Sequence, residues 1–251
     1  MTRGTPTRRL EIGTTYNLRD VGGYTVDGGG TTRWGRLFRS DLPRLVPSEA
    51  EALRVLRLRT VLDLRDDDEY ITRPSSFGGV EVQLVRRPLG LRALIDGLPV
   101  DDADPLGTLF CTAAQQLGRQ IAAAIAELGR PGALPTLVHC AAGKDRTGII
   151  IALTLGSIGV PDEQIAADFA LSSTYLTSEF FAAEARTTAG PREVYRPALR
   201  GSEPASILRL LDEVRNQDGT VRDYLLRHGA TTTELDALRA ALIDSSDQHQ
   251  L

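Results

Sequence analysis

Two residues that could do chemistry together, Cys140 and Arg146, are separated by five residues in this sequence. Three of the intervening residues, Ala141, Ala142 and Gly143, have too little side chain to obstruct a ligand. Small residues let backbone N–H groups converge on one point, and a glycine can take the positive φ that a concave turn needs. The segment therefore predicts a loop that binds an anion.

The flanking sequence predicts a strand before this loop and a helix after it. Thr136–His139 is a short apolar run typical of a buried strand, and the apolar run from Thr147 onward is typical of a core helix. The amino terminus of such a helix favours a bound phosphate and the thiolate form of a nearby cysteine. Because the guanidinium of Arg146 matches two phosphoryl oxygens, the pattern predicts that Cys140 is a nucleophile beneath a bound phosphate.

The loop and a segment near the start of the chain together resemble a known family. They read His-Cys-Ala-Ala-Gly-Lys-Asp-Arg-Thr-Gly over 139–148 and Asn-Leu-Arg-Asp-Val-Gly-Gly over 17–23. These runs resemble the bacterial tyrosine/lipid phosphatase group of the cysteine-dependent protein tyrosine phosphatase superfamily, and the resemblance covers most of the chain. It implies an α/β fold with a central, mainly parallel sheet flanked by helices, a phosphate loop between strand and helix, and a helical lid.

The same resemblance implies a protein-tyrosine-phosphatase that works through a cysteinyl-phosphate on Cys140. Phosphoserine, phosphothreonine and phosphoinositides are the wider expectation for its substrates, so its partners would be a phosphorylated protein or a phosphoinositide. A catalytically silent phosphate-binding module is the alternative, and the intact thiol counts against it. Sulfurtransferases and arsenate reductases also use Cys-x5-Arg, but Gly-Lys-Asp-Arg-Thr-Gly is not their pattern.

One lysine, Lys144, stands among the 29 basic residues, and it lies inside the loop. We interpret it as a compact charge for a second phosphate or acidic group of the substrate, where a guanidinium would be too large. In similar phosphatases, lysine at this place accompanies phosphoinositide substrates. The Thr147 hydroxyl could hydrogen-bond the sulfur as it leaves, or cap the helix. The expected substrate-binding residues are Ala141, Ala142, Gly143, Lys144 and Thr147.

A leaving alcohol needs a proton, and three sets of aspartates could supply it. Asp145 is nearest to the nucleophile and is the residue that the family suggests. Asp63 stands on a predicted core strand, where an acid needs a partner such as Arg65 or Arg146, and the resemblance places it beside the loop. The acidic stretch 101–104 lies at the distance before the cysteine at which many tyrosine phosphatases carry their acid. His139 is expected to brace the loop by hydrogen bonding, and Cys111 to be inert core.

Periodicity and turn residues predict the rest of one phosphatase domain over 1–251. Three glycines after Asp27 predict a hairpin between 24–26 and 32–39, and the apolar run 106–128 predicts one long helix. The segment 172–200 corresponds to the lid of the family and is predicted to cover the pocket. The tail 245–251 is expected to be disordered.

Composition excludes several classes of protein. A net charge of −4 and a pI near 5.5 argue against a nucleic-acid or membrane-surface binder. Two cysteines in unlike contexts and three scattered histidines suggest neither a disulfide framework nor a metal site, and no cofactor is expected. No apolar run reaches membrane-spanning length. We expect a cytoplasmic protein, although relatives in this group can be exported without a signal peptide, and the oligomeric state is left open.

Overall fold

The computed structural model of the chain describes residues 8–95, 97–98, 102–187 and 199–244. Within these ranges the strands are short, and five of them form the central sheet. They are β1 (Arg19–Asp20), β2 (Thr31–Thr32), β3 (Leu37–Ser40), β4 (Arg44–Leu45), β5 (Thr60–Asp63), β6 (Ser76–Phe77), β7 (Gln83–Arg86), β8 (Thr136–His139) and β9 (Ile243–Asp244).

Helices account for most of the second half of the described chain. They are α1 (Ala50–Arg54), α2 (Asp67–Thr72), α3 (Arg92–Ile95), α4 (Pro105–Gln116), α5 (Gly118–Leu128), α6 (Asp145–Ser157), α7 (Asp162–Tyr175), α8 (Ser178–Thr187), α9 (Pro204–Asp218), α10 (Val221–Arg227) and α11 (Thr232–Leu242). None of these helices is long and apolar enough to cross a lipid bilayer.

The central sheet has the strand order β1-β3-β8-β5-β7. β3, β8, β5 and β7 run parallel to their neighbours, and β1 is an antiparallel edge strand. Parallel sheets place their ligand sites at the carboxyl ends of the strands. The predicted α/β class is therefore confirmed, and the end of the central strand β8, where Cys140 follows, is the position expected for a site.

Alternate residues of the strands pack on opposite faces of the sheet, as the period of two requires. Leu62 and Val138 belong to the larger apolar core, which is built mostly with the helices from α4 onward. Val61 and Leu137, one position earlier, belong to a smaller core that includes Leu53 of α1. Both faces are buried, which is why these strands read as continuous apolar runs.

The hairpin predicted between 24–26 and 32–39 is present only next to its turn, where the Val26 N–H donates to the Gly30 carbonyl at 3.1 Å and the Thr32 N–H donates to the Tyr24 carbonyl at 2.7 Å. Thr25 and Thr31 form one isolated antiparallel bridge, while β2 pairs with β9 at the other end of the described chain. Residues 37–40 instead form β3, inside the central sheet. The glycine turn is present, but the partner of β2 is more than 200 residues away in sequence, where local turn chemistry gives no signal.

The single long helix predicted over 106–128 is two helices. α4 ends at Gln116 and α5 starts at Gly118. A Cβ atom at Gly118 would lie only 2.4 Å from the ring of His228. Because α10 and its following residue approach so closely there, the junction takes a glycine, which also lowers helix propensity.

The predicted lid segment begins inside a core helix. Residues 172–175 complete α7, and Ser172 is fully buried. α8 follows and places Phe180 in contact with Tyr16 and close to Ala142 of the phosphate loop. Residues 188–198 of the predicted lid and the predicted tail 245–251 lie outside the described residues, so the lid itself stays a prediction.

Candidate active site

The anion loop predicted from sequence is formed by residues 140–144, between β8 and α6. Cys140 lies on the floor of a small pocket, where only 3% of its surface is exposed. Ala141, Ala142, Asp145 and Arg146 line the same pocket. α6 begins at Asp145, so its free N–H groups and the positive end of its dipole are next to the thiol.

The carbonyl groups of the loop are held by donors outside the loop. The side-chain amide of Asn17 donates to the carbonyls of Ala142 and Gly143 at 3.0 and 3.1 Å. Arg39 donates to the Gly143 carbonyl at 2.8 Å. With the carbonyls engaged on this side, the loop is fixed before any ligand arrives. The N–H groups of such a fixed loop are available to an anion.

Gly143 is required by both conformation and space. Its φ of +66° is one that residues with a Cβ atom rarely adopt. A Cβ atom at this position would lie 2.3 Å from the carbonyl carbon and oxygen of Ser40 and 2.5 Å from the nitrogen of Asp41. The loop therefore packs directly on the end of β3.

A buried ion network supports Asn17 and Arg39. Asp168 of α7 accepts from Nε of Arg19 at 3.1 Å, from Nη1 of Arg39 at 2.5 Å and from the Tyr24 hydroxyl at 2.9 Å. Arg19 in turn donates to the side-chain oxygen of Asn17. Burial would raise the pKa of Asp168, but the two arginines hold it well below the usual range. One carboxylate thus fixes the donors that orient the loop.

Asp41 lies beside the loop as a buried carboxylate for which no ion pair is found among the described residues. Its oxygens accept from the N–H groups of Tyr16 and Asn17 at 3.0 and 2.9 Å and from the Ser40 hydroxyl at 3.2 Å. Burial raises the pKa of Asp41 to about 6, against the lowering effect of these hydrogen bonds. The Asp41 carboxyl therefore changes its protonation state at mildly acidic pH.

Arg146 is oriented by Glu69 of α2. Its Nη1 and Nη2 atoms donate to the two carboxylate oxygens, the second at 2.9 Å. Although burial lowers the pKa of Arg146, the Glu69 hydrogen bonds and the nearby Cys140 raise it above its usual value. The same pair lowers the pKa of Glu69 against the effect of its own burial. The guanidinium is permanently charged and lines the same pocket as Cys140.

Asp63 and His139 lie at the carboxyl end of the sheet, behind the loop. Asp63 is fully buried and binds Arg65 at 2.6 and 2.9 Å, which confirms Arg65 as its expected partner. His139 Nδ1 lies 3.1 Å from the Cys140 carbonyl and Nε2 lies 3.4 Å from the Ser75 hydroxyl. Because a carbonyl only accepts, Nδ1 carries the proton. Burial lowers the pKa of His139, so the neutral ring braces the loop.

Lys144 has partners that sequence did not suggest. Its Nζ donates to the carbonyl of Leu199 and, at 2.7 Å, to that of Gly201, and it lies 3.2 Å from Oδ1 of Asp145. Only 3% of its surface is exposed. Two of these contacts are hydrogen bonds, and the third is an ion pair, because Oδ1 of Asp145 accepts no hydrogen bond from the described residues. Lys144 thus ties the loop to the chain that leads into α9, in place of the free charge expected for a second phosphate.

Thr147 occupies the third position of α6, so it does not cap this helix. Its hydroxyl is buried and has no hydrogen-bond partner among the described residues. A buried hydroxyl without a partner carries a free-energy cost of about 1–3 kcal/mol. The predicted bond to the departing sulfur would give it a partner, and that bond stays a prediction.

The geometry agrees with what is found among known proteins. A profile described as the tyrosine phosphatase family matches residues 10–244. The chain belongs to this family. The resemblance on which the sequence interpretation depended is therefore confirmed.

Several relatives in this tyrosine phosphatase family are similar over most of the chain. A candidate tyrosine-protein phosphatase of Cupriavidus necator is 30% identical over 178 residues, covering 68% of this chain and 65% of that protein, just under two thirds of its length. A tyrosine-protein phosphatase of Nostoc commune is 28% identical over 81% of this chain and 72% of its own. The triple specificity protein phosphatase PtpB of Mycobacterium tuberculosis is 29% identical over 65% and 68%. Among solved structures, TpbA of P. aeruginosa is 19% identical with a TM-score of 0.34, covering 73% of this chain and 99% of TpbA.

The candidate acids of this phosphatase lie in different parts of the structure. Asp145 lines the pocket. Asp63 is fully buried, and although burial raises its pKa, the hydrogen bonds and positive charge of Arg65 bring it below the usual value. Its role as an alternative acid stays a prediction. Asp104 caps α4 by accepting from the N–H of Gly107 at 2.9 Å, and Asp101 lies outside the described residues.

Sequence reasoning missed two functional carboxylates of this phosphatase fold, Asp168 and Glu69. Glu69 lies in an acidic run in the first turn of α2, where carboxylates are common without any function. Glu69, Asp66 and Asp68 bring their oxygens within 4.8 Å of one another. Glu69 binds Arg146, Asp68 binds Arg92 at 3.1 Å and Asp66 accepts from the Gly90 N–H at 3.1 Å, so each of these acids already has a partner.

Proposed function

We propose that this chain hydrolyses phosphotyrosine through a cysteinyl-phosphate intermediate. The observation that carries the proposal is that Cys140 and Arg146 line the same small pocket, with Cys140 in the loop that leads into α6. The loop around it is held from outside by Asn17 and Arg39. Fixed donors around a sulfur nucleophile stabilise a phosphoryl group in transit without reorganising.

In the first step, the Cys140 thiolate attacks phosphorus in line with the ester oxygen. The S–P bond forms, the P–O bond to the alcohol breaks, and the loop N–H groups and Arg146 hold the equatorial oxygens. The leaving oxygen takes a proton from Asp145, the candidate acid that lines the pocket.

In the second step, water attacks the phosphorus of the cysteinyl-phosphate. Asp145 takes a proton from that water, the O–P bond forms and the S–P bond breaks. The Thr147 hydroxyl, which lacks a partner among the described residues, donates to the sulfur as charge returns to it. Inorganic phosphate and the thiolate are the products, so the cycle is balanced.

The pocket wall supports an aryl substrate. Beside the loop the wall is mainly apolar, although Arg92 also lines it, and its apolar side chains are Leu91, Ile95, Leu106, Leu109 and Leu199. An aromatic ring of a phosphotyrosine can pack against such a surface. An apolar wall offers no comparable contact to the short side chain of phosphoserine.

The mycobacterial relative is named a triple specificity phosphatase, which is a reason to test a wider range of substrates. A phosphoinositide with a second phosphate would have to replace the Leu199 and Gly201 carbonyls as ligands of Lys144. We therefore propose phosphotyrosine as the preferred substrate. A panel of phosphotyrosine, phosphoserine and phosphoinositide substrates should give the highest kcat/KM with phosphotyrosine, and an equal or higher value with a phosphoinositide would contradict this preference.

The central test compares the two cysteines. Cys140→Ser should abolish hydrolysis of p-nitrophenyl phosphate, because a hydroxyl is a far weaker nucleophile than a thiolate. Cys111→Ser is the matched control, since Cys111 is also buried but contacts the Arg209 carbonyl on α9. It should retain activity. A rapidly quenched wild-type reaction should show a phosphate adduct on Cys140 by mass spectrometry. Phosphate binding with no hydrolysis by the wild type would favour the silent binding module.

The acid is tested with two leaving groups. Asp145→Asn should lower turnover of an alkyl phosphate about 100-fold or more, while an aryl phosphate with a good leaving group should lose about tenfold or less. The contrast follows from the proton that a poor leaving group needs. Equal losses with both substrates would show that another group supplies the proton.

A further inference from the structure

The edge of the central sheet opposite the phosphate loop carries a second group of arginines. Arg36 precedes β3 and Arg59 precedes β5, the strands on either side of β8. The N–H of Thr136 donates to the Arg36 carbonyl, and the N–H of Arg59 donates to the Pro135 carbonyl, both at 2.9 Å. Neighbouring strands lie about 4.8 Å apart, so the two arginines flank Pro135 with Cα atoms about 10 Å apart.

These residues line a cleft of about 490 Å³, which we call the amino-edge cleft, with the arginines Arg36, Arg57, Arg59 and Arg130 in its lining. It shares no lining residue with the pocket that contains Cys140. A strand rises about 3.3 Å per residue, so Pro135 at the cleft is roughly 16 Å from Cys140 along β8. The cleft is separate from the active site.

The positive charge of the cleft is not balanced by neighbouring acids. No acidic residue is among those that line it. Arg130 donates to Glu127 at 2.9 Å, but Arg36, Arg57 and Arg59 form no ion pair within the described part of the chain. The Nε atom of Arg36 is buried and has no hydrogen-bond partner there either. In a chain of net charge −4, three arginines without a counter-charge favour an external anion.

The backbone at Arg57 is a second, independent observation. Its φ is +50°, the one positive value at a non-glycine residue in the described ranges. The position follows the end of α1, where a left-handed residue is usually glycine. A side chain at this φ is strained, and such strain in a folded protein is typical of functional positions. Arg57 thus brings a guanidinium to the cleft at a conformational cost that glycine would not have.

We infer that the amino-edge cleft binds a small polyphosphate, a molecule with at least two phosphoryl groups, through Arg36, Arg57 and Arg59. Guanidinium groups bind phosphoryl oxygens in bidentate fashion. The span between Arg36 and Arg59 exceeds a single phosphate, and the volume is in the range of small-molecule sites. No aromatic side chain lines the cleft, and its other walls include Leu128 and Leu134. The remainder of the ligand is therefore compact and is not bound by stacking.

Calorimetric titration with inorganic tripolyphosphate tests this inference, with the catalytic loop saturated by orthovanadate. Wild type should bind one equivalent, and Arg36→Gln/Arg59→Gln should weaken binding at least tenfold. The control Arg54→Gln/Arg222→Gln removes the same charge from pairs with Glu51 and Asp236 elsewhere on the surface. It should change binding less than twofold. Hydrolysis of p-nitrophenyl phosphate should stay within twofold of wild type in both double variants.

Arg57→Gly separates binding from folding. This variant should raise the midpoint of thermal unfolding by removing the strain, while weakening tripolyphosphate binding at least threefold. A residue with only a structural role would not move the two measurements in opposite directions.

Three results would overturn the inference. They are equal losses of binding in the cleft variant and the control, no binding once the catalytic loop is saturated, and binding to anionic phospholipid vesicles with none to soluble tripolyphosphate. The last would make the cleft a membrane contact.

Discussion

Arginines at the two edges of the central sheet have opposite electrostatic surroundings. Around the phosphate loop they are buried, and each is paired with a carboxylate: Arg19, Arg39, Arg65 and Arg146. At the amino edge, the three arginines of the cleft that form no ion pair among the described residues are Arg36, Arg57 and Arg59. Arginine side chains thus hold the structure rigid around the loop, whereas at the amino edge they are available to bind an anion.

The difference follows from the free-energy cost of burying charge. An unpaired buried ion costs several kcal/mol, so the arginines near Cys140 can be fixed in place only with partners such as Asp168 and Glu69. At the amino edge, Arg57 and Arg59 are exposed and Arg36 is half-buried, so these side chains stay at least partly hydrated and need no partner to be tolerated. Organisation for catalysis therefore requires acids from distant parts of the chain, whereas a surface anion site requires their absence.

The largest effect on the free energy of unfolding should come from removing the carboxylate of Asp168, which Arg19 and Arg39 share. Asp168→Asn leaves Arg19 and Arg39 buried without a counter-charge, and should lower the free energy of unfolding by about 3–5 kcal/mol. Urea denaturation at neutral pH measures it. The matched control on the same helix is Asp162→Asn, whose partially exposed pair with Arg215 is worth about 0–1 kcal/mol. Similar losses in both variants would remove the distinction between the two kinds of arginine.

The next largest effect concerns Asp41, a buried acid that forms no ion pair with the described residues and so contrasts with the paired carboxylate of Asp168. The pKa of Asp41 is raised from 3.8 to about 6 in the folded protein, so folding favours its protonated form. Its contribution to stability is complete below about pH 4 and is lost as the pH rises through about 6. At about 1.4 kcal/mol per pKa unit, the loss is up to about 3 kcal/mol.

Asp41→Asn should remove this pH dependence, because an amide does not titrate. Urea denaturation of both proteins from pH 4 to 8 measures the difference in unfolding free energy. The opposite dependence of Asp168 is present in both proteins and cancels. A difference that stays constant across this range would show that Asp41 is ionised at its ordinary pKa.

A third prediction concerns the backbone that the paired arginines hold. Gly143→Ala forces a Cβ atom against the backbone of Ser40, and should lower kcat/KM for an aryl phosphate about 100-fold, equal to about 2.7 kcal/mol. Gly79→Ala is the control, because Gly79 also has a positive φ but has open space around its Cβ position. Activity should be unchanged there. A comparable loss in the control would mean that conformation alone, without the contact to β3, explains the effect.

The smallest effect is expected at Lys144, a cation held mainly by backbone carbonyls. Lys144→Met leaves the Leu199 and Gly201 carbonyls without their donor and should cost about 1–2 kcal/mol of unfolding free energy. Because Leu199 lines the pocket, KM for an aryl phosphate should rise several-fold. Lys144→Arg tests whether charge alone suffices. Unchanged stability with a selective loss of phosphoinositide hydrolysis would instead restore the substrate-binding role expected from sequence.

The sequence was sufficient for features that depend on neighbouring residues. The strand before Cys140, the loop and the helix that carries Arg146 are all encoded within 136–157 by apolar runs and small residues. Gly143 was predicted to have a positive φ for the right physical reason. These parts follow from local propensity and from the period of the apolar residues.

The partners of the charged residues could not be predicted, because they are distant in sequence. Asp168 is 149 residues from Arg19 and looks like any other acid of an amphipathic helix. The two carbonyls that bind Lys144 carry no signal at all, since every residue has one. The extent of the hairpin was overestimated for the same reason, as the strand that pairs with β2 is β9.

Chemical modification of Lys144 reports on the contact between the loop and the chain that leads into α9. Lys144 supplies the one side-chain amine in the sequence, and that amine is enclosed by backbone oxygens and Asp145. An acylating reagent can therefore modify a side-chain amine only in molecules where the 199–201 stretch has come away from the loop. The rate of that modification therefore measures how often the Lys144 amine separates from the carbonyls of Leu199 and Gly201.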